Sequence, residues 1–319
     1  MATNRPLTSE FDATYRQELW TRSANKEVVA DRSLPTPTRA LAELHADLDA
    51  HGYCLVADAV SSADRTAIRE KFERQWEAEA RIGRGIPNPT GVHSICNLLV
   101  KGEIFQKTVL QPVVDELMEH LLGDGFLISA ICGLQTVPGS KAQGLHTDQF
   151  LFGIPADFSL VANAFFMIDE FAEENGATRV VPGSHRWSPE QVASVYEGIG
   201  VAGDGVGENP AGSIPATAPA GTCLVLEGRL VHGAGKNLSA DRTRLAVSSY
   251  YCRPWLRPFT NAFLSTPDDI MESFSPALRA QLGYATWRLS GGYEAPGMPA
   301  SAEVVRPSDQ VRDLSDTSS

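Results

Sequence analysis

From Phe126 onward the spacing of apolar residues changes character, and that change constrains the fold more than any other feature of the chain. Upstream, apolar residues recur at helical intervals. Leu41, Leu44 and Leu48 follow Thr36–Pro37 and precede Gly52; Ile68, Phe72 and Trp76 fall within 61–76; Leu110, Val114, Leu117 and Leu121 fall within 107–122, before Gly123. Each set lines one face of a helix, and Gly52 and Gly123 stand where a helix end favours a left-handed residue. Downstream come short β-rich runs at 126–137, 159–168, 178–182, 222–227 and 244–251, parted by turn signals at 138–140, 174–176 and 182–184. An apolar run at 53–60 reads as one more strand, and a last helix is expected from Ser275–Pro276 to about Gly283. Helices followed by many short strands predict a mainly β fold, a sandwich or barrel with flanking helices.

Composition limits what such a fold does. The chain has 319 residues, 43% of them hydrophobic, enough for one elaborated domain. We expect a polar arm at 1–35, a single domain at 36–299 and a polar tail at 300–319. The net charge is −12 and no basic stripe occurs, which argues against a nucleic-acid partner. No stretch is long and apolar enough for a membrane span, and the first residues lack the apolar region of a secretory signal. The five cysteines are far apart in sequence and lie mostly in apolar runs, which reads as reduced thiols of a cytoplasmic protein rather than a disulfide frame or zinc cluster. No nucleophile elbow is present, and the glycines at 203–207 do not follow the dinucleotide fingerprint.

Two stretches carry chemistry. In QGLHTDQF, His146 and Asp148 are two residues apart, so in extended backbone an imidazole and a carboxylate share one face. That is two-thirds of the facial triad that leaves one side of a ferrous ion open. The tripeptide alone also suits a solvated turn. His232 follows an apolar strand and precedes a Gly-rich turn, and Arg244 opens another β run twelve residues later. An inward arginine needs an anionic partner, and a carboxylate matches it bidentately. A surface pairing of Arg244 or Arg242 with Asp241 is the competing reading. His93, in the loop 87–97, and Phe150 and Phe152, after the metal motif, are candidates for a substrate wall; for the two phenylalanines plain core packing competes evenly.

Taken together, QGLHTD (143–148), ENGATRVVPGSH (174–185) and HGAGKN with RTRLAVSSYY (232–251) resemble the phytanoyl-CoA dioxygenase-like branch of the Fe(II)/2-oxoglutarate-dependent oxygenases. The opening HGYCLVADAVSSADRTAIRE (51–70) also resembles that family, and the likeness covers roughly 36–290. The resemblance implies a double-stranded β-helix, that is a cupin-like jelly roll, with helices on one sheet. It implies His146, Asp148 and His232 as iron ligands, Arg244 on the distal carboxylate of 2-oxoglutarate, and Gln143, Thr178 and Asn97 as further co-substrate contacts. His185 matches a position that is usually structural. The interval from His232 to Arg244 is one residue longer than is common in the family; the R-x-A pattern favours Arg244 over Arg242. The implied activity uses Fe(II), 2-oxoglutarate and O2 to hydroxylate, desaturate, epoxidise or rearrange a small organic molecule, with secondary metabolism as the expected setting. Asp148 stands where related halogenases carry a small residue, so halogenation is not implied. An acyl-CoA hydroxylase, with Arg81, Arg84 and Lys101 as phosphate contacts, is the alternative, and a non-catalytic jelly-roll sensor is the alternative of another class.

Overall fold

The computed structural model describes residues 33–149, 157–196, 212–285 and Trp287. Most of the expected arm, the whole expected tail, Phe150 and Phe152 lie outside the described residues. Helix α1 (Leu41–His51) ends at Gly52, whose left-handed φ of 79° lets its N–H reach Leu48 O. Strand β1 (Tyr53–Val56) follows. Helix α2 (Ser62–Arg81) is capped by Ser61, whose hydroxyl accepts from the Asp64 N–H, and runs a turn beyond the apolar stripe that predicts it. Then come β2 (His93–Cys96), α3 (Glu103–Val109) and α4 (Pro112–Leu122). The helix expected over 107–122 is therefore two helices. Pro112 lacks an N–H and disfavours helical backbone at Gln111, so it starts a helix and cannot continue one.

Strands β3 (Leu127–Thr136), β4 (Val161–Met167), β7 (Cys223–Glu227) and β9 (Arg244–Cys252) join β1 and β2 in one antiparallel sheet, ordered β1-β7-β4-β9-β3-β2. A smaller sheet is ordered β6-β5-β8, from β5 (Thr178–Val180), β6 (Ile214–Pro215) and β8 (His232–Ala234). An isolated bridge between His146 and His232 lengthens its edge. Helix α5 (Pro189–Tyr196) lies between β5 and β6, and α6 (Ala262–Ser265), α7 (Asp268–Ser273) and α8 (Pro276–Arg279) follow β9. The last expected helix is α8 with a π turn at Ala280–Tyr284.

The large sheet is buried on both faces, and strand alternation sorts its residues. Ala162, Ala164 and Phe166 of β4 and Leu245, Val247 and Tyr251 of β9 join Leu48, Ile68, Phe72, Leu117 and Leu121 in a core beneath the helices. Their neighbours Met167 and Ala246 face the other way, into a second core with Val180 of the small sheet and Ala216, which follows β6. Two sheets closing on a shared interior make the jelly roll that the resemblance implies. Gly133 of β3 is required by the first core: a Cβ there would stand 2.6 Å from the Phe72 ring.

Three strands were not expected. HSIC (β2) alternates too briefly to stand out, β6 is two residues within a Gly- and Pro-rich stretch and is placed by its pairing with β5, and HGA (β8) has no β-forming residue; the backbone pairing of His232 with His146 places it. The cysteines are a second departure. All five are free thiols, but the register brings Cys96 opposite Cys132, so these two are neighbours in space.

Candidate metal centre

His146 and His232 face one another because their backbones pair: each N–H donates to the other's carbonyl, at 2.8 and 2.9 Å. Asp148 is one pleat on from His146. The ligating atoms of His146, Asp148 and His232 lie within 4.8 Å of one another. Both imidazole Nε2 atoms are 3.7 Å from an Asp148 carboxylate oxygen, and the rings are 4.5 Å apart at 46°.

The ring orientation has a local cause. The Nδ1–H of His146 donates to Gly144 O at 2.9 Å, and that of His232 donates to Leu230 O at 3.0 Å. A carbonyl accepts only, so each Nδ1 carries the proton and each Nε2 lone pair is left for a metal. Burial, reinforced by the neighbouring His232, holds His146 below the usual imidazole range and keeps it neutral. Asp148 is held from behind by Asn163 Nδ2 at 2.7 Å, and Asn163 Oδ1 accepts from Ser248 Oγ at 3.3 Å. The Tyr250 hydroxyl donates to Asp148 O at 3.3 Å. Two imidazoles presenting Nε2 and one anchored carboxylate are the donor set of a ferrous facial triad.

The three side chains line a cavity of about 620 Å³ that also takes in Gln143, Thr178 and Arg244. Arg244 is 4% exposed. Its Nη2 donates to Thr136 Oγ1 at 2.7 Å, its guanidinium lies 4.3 Å above the Phe171 ring, and its Nε has no partner. Burial draws its pKa down to about 10, with the charge of Asp169 opposing, so it remains a cation at neutral pH. A buried guanidinium with no ion pair among the described residues is a receptor for an anion. Arg242, the other arginine of the motif, pairs with Glu174 at the surface.

Three expected contacts sit elsewhere. Asn97 caps the turn Leu98–Lys101 with φ 55°, donates to Ser265 O at 3.2 Å and lines a separate small cavity. His93 stacks on Trp76 at 4.2 Å on the helical side of the sheet; its neighbour Val92 lines the cavity, with Asn88, Pro89 and Thr90. The loop is at the site, and the pleat decides which residue reaches it. Lys101 is buried against Glu79, so it is not free for a phosphate, while Arg81 and Arg84 are exposed. His185 is buried, with Nε2 at 3.3 Å from Asp49 O, in the structural place that its motif implies. Sequence reasoning passed over Asn163, Ser248 and Thr136. The signal for the first was present, an amide in the otherwise apolar run VANAFFM.

Among curated proteins, the dioxygenase af480 of Aspergillus fumigatus is 28% identical over 287 residues, 86% of either chain. Dioxygenase trt7 of Aspergillus terreus is 30% identical over 60% of this chain and 65% of its own length. The multifunctional dioxygenase ausE of Emericella nidulans is 32% identical over 62% of this chain and 63% of its own. With the last two the match spans less than two-thirds of the relative. Among solved structures, the non-heme alpha-ketoglutarate-dependent epimerase SnoN from nogalamycin biosynthesis superposes with TM-score 0.53 at 20% identity, over 72% of this chain and 90% of that one. EctD from S. alaskensis, in its apoform, gives 0.55 at 17%, over 73% and 85%. These two share the fold. The sequence model for phytanoyl-CoA dioxygenase matches residues 48–246, and the chain belongs to that family.

Proposed function

We propose that this protein is an Fe(II)- and 2-oxoglutarate-dependent dioxygenase that oxidises a small organic molecule in secondary-metabolite biosynthesis. His146, Asp148 and His232 would hold the iron; Arg244 would receive the distal carboxylate of 2-oxoglutarate, with Thr136, Gln143 and Thr178 beside it. The observation that carries this reading is the buried Arg244, whose Nε has no hydrogen-bond partner, in the same cavity as two Nε2-presenting imidazoles and a carboxylate. Charge supports it: a ferrous ion against Asp148 leaves one positive charge, a dicarboxylate reverses it, and Arg244 brings the pocket to neutrality. When bound, iron and 2-oxoglutarate supply O2 activation, the co-substrate leaving as succinate and CO2.

The chain's own part is placement. The Gly144 and Leu230 carbonyls each engage an Nδ1 and so aim both Nε2 atoms into the cavity, and Asn163 fixes the Asp148 carboxylate. Val92, Leu134 and Phe165 line the cavity and exclude water from the reacting C–H bond. A cavity of about 620 Å³ fits a co-substrate and a compact organic substrate together. Relatives named as fungal dioxygenases, and SnoN, solved with Fe3+, alpha ketoglutarate and nogalamycin RO, support a small-molecule substrate. The acyl-CoA alternative is less well supported, since Lys101 is committed to Glu79. The reading includes one catalytic domain over 36–299 and a cytoplasmic setting, the latter supported by the free buried thiols Cys54, Cys223 and Cys252.

The test is aerobic incubation with Fe(II) and 2-oxoglutarate. Succinate is expected from the wild type, and a visible iron-to-oxoacid charge-transfer band is expected under anaerobic conditions. Both should vanish in His232→Ala. A wild type that holds stoichiometric iron yet gives neither signal overturns the assignment.

A further inference from the structure

Cys96 and Cys132 belong to different strands, are 36 positions apart in sequence and face one another directly in the β2–β3 register. The Cys132 thiol donates to Cys96 Sγ at 2.7 Å. Directly opposed residues of an antiparallel pair have Cα atoms about 4.5–5.5 Å apart, inside the range that a disulfide spans, so joining them needs no movement of the backbone. Cys96 is exposed and Cys132 half-buried, whereas the other three thiols are buried. Only this pair combines proximity with access.

The face on which the pair sits matters. Ile95 and Ile131 point into the helical core and Gly133 packs on Phe72, while Val92, Leu134 and Thr136 line the cavity. Strand alternation therefore puts both thiols on the cavity's side of the sheet, one pleat beyond Leu134. In the next strand Cys132 is opposite Ser248, a cavity residue that holds Asn163. Strand β2 is the edge of the sheet and leads directly out of the loop 88–92 that walls the cavity.

We propose that Cys96 and Cys132 are a redox-active thiol pair that closes to a reversible cross-strand disulfide, with a peroxide as the oxidant. The Cys96 thiolate attacks hydrogen peroxide; an S–O bond forms, the O–O bond breaks and the departing hydroxide takes a proton to become water. The Cys132 sulfur then attacks the Cys96 sulfenic acid. An S–S bond forms, the S–O bond breaks, and the hydroxide leaves as water with the Cys132 proton. Two thiols and one peroxide give one disulfide and two waters, the two electrons passing from sulfur to oxygen. The Cys96 side is the nucleophile because it accepts the Cys132 hydrogen bond, with the Ser94 hydroxyl and the charge of Lys101 adding to it; these draw its pKa down to about 6, against partial desolvation and the Glu79 charge. The Cys132 thiol is pushed up by giving that hydrogen bond and by burial, which suits it as the second, resolving thiol.

The experiment uses the full chain, metal-free so that iron does not decompose the peroxide. Protein is exposed to one equivalent of hydrogen peroxide, quenched by alkylation, and mapped by mass spectrometry without reductant. The expected result is a linked peptide pair joining Cys96 to Cys132, lighter by two hydrogens, that separates on treatment with dithiothreitol. Cys132→Ser should instead trap a dimedone-reactive sulfenic acid at Cys96, and Cys96→Ser should leave Cys132 unoxidised. Absence of the linked pair in the wild type, or equal oxidation of all five cysteines, overturns the proposal. Because Cys96 is exposed, its serine variant is expected to fold, and matching circular dichroism checks this.

Discussion

Asn163 shows how much of the centre hangs on a single amide. Its Nδ2 holds one Asp148 oxygen at 2.7 Å, and Ser248 fixes the amide's own orientation. Asn163→Ala leaves the three ligands in place but lets the carboxylate swing, so Fe(II) affinity is expected to fall roughly 10–100-fold, read by metal titration. Arg244→Met removes the anion receptor without adding a buried charge. Losing such a contact costs about 2–5 kcal/mol, so the KM for 2-oxoglutarate should rise by more than an order of magnitude while iron binding is unchanged. At Cys96 the sign of the pH effect is set by its lowered pKa of about 6. Iodoacetamide alkylation of Cys96 should rise with pH through about 6 and then level off, whereas an ordinary thiol is still gaining reactivity near about 8.5.

At the scale of elements, the helical layer and the sheet meet where Phe72 of α2 fills the notch left by Gly133 of β3. Phe72→Ala empties that notch and should destabilise the fold by about 3–5 kcal/mol, seen as a lower thermal midpoint, with iron stoichiometry retained in the folded fraction. Phe72 was visible in the sequence as part of an apolar stripe, whereas Gly133 lay unmarked within the run 126–137. Most elements were legible in this way because amphipathic helices and long apolar strands advertise their period. The exceptions have physical reasons. The break between α3 and α4 is set by one proline inside an unbroken apolar stripe. β8 has no strand propensity and exists because His232 is paired on both sides, to Val180 and to His146. His93 was placed in the site when Val92 is there, since a loop can be located from its motif but its pleat cannot. His146, Asp148, His232, Gln143, Thr178 and Arg244 converge because a combination of motifs fixes a topology that no single one does. Asn97 shows the converse: a lone residue matched by position went to a different cavity.

For the molecule as a whole, the two sheets contribute different halves of one pocket. The small sheet with its bridge brings His146 and His232, and the large sheet brings Arg244, Thr136 and Asn163. A metal and a dicarboxylate bound between them tie one sheet to the other and are absent from the unfolded chain. Each ligand at a hundred times its dissociation constant should therefore add about 2.7 kcal/mol of stability; an anaerobic thermal melt with Fe(II) and 2-oxoglutarate should shift upward and return to baseline with a chelator. The histidines add something of wider reach. Each ring takes its bearing from a carbonyl two positions earlier in its own chain, Gly144 for one and Leu230 for the other. The aim of the imidazoles is thus inherited from a tripeptide's path and owes little to the far wall. Substitutions at Leu134, Phe165 or the 88–92 rim can remould the chamber for a new guest while the reactive corner keeps its bearings, which lets one framework serve many chemistries.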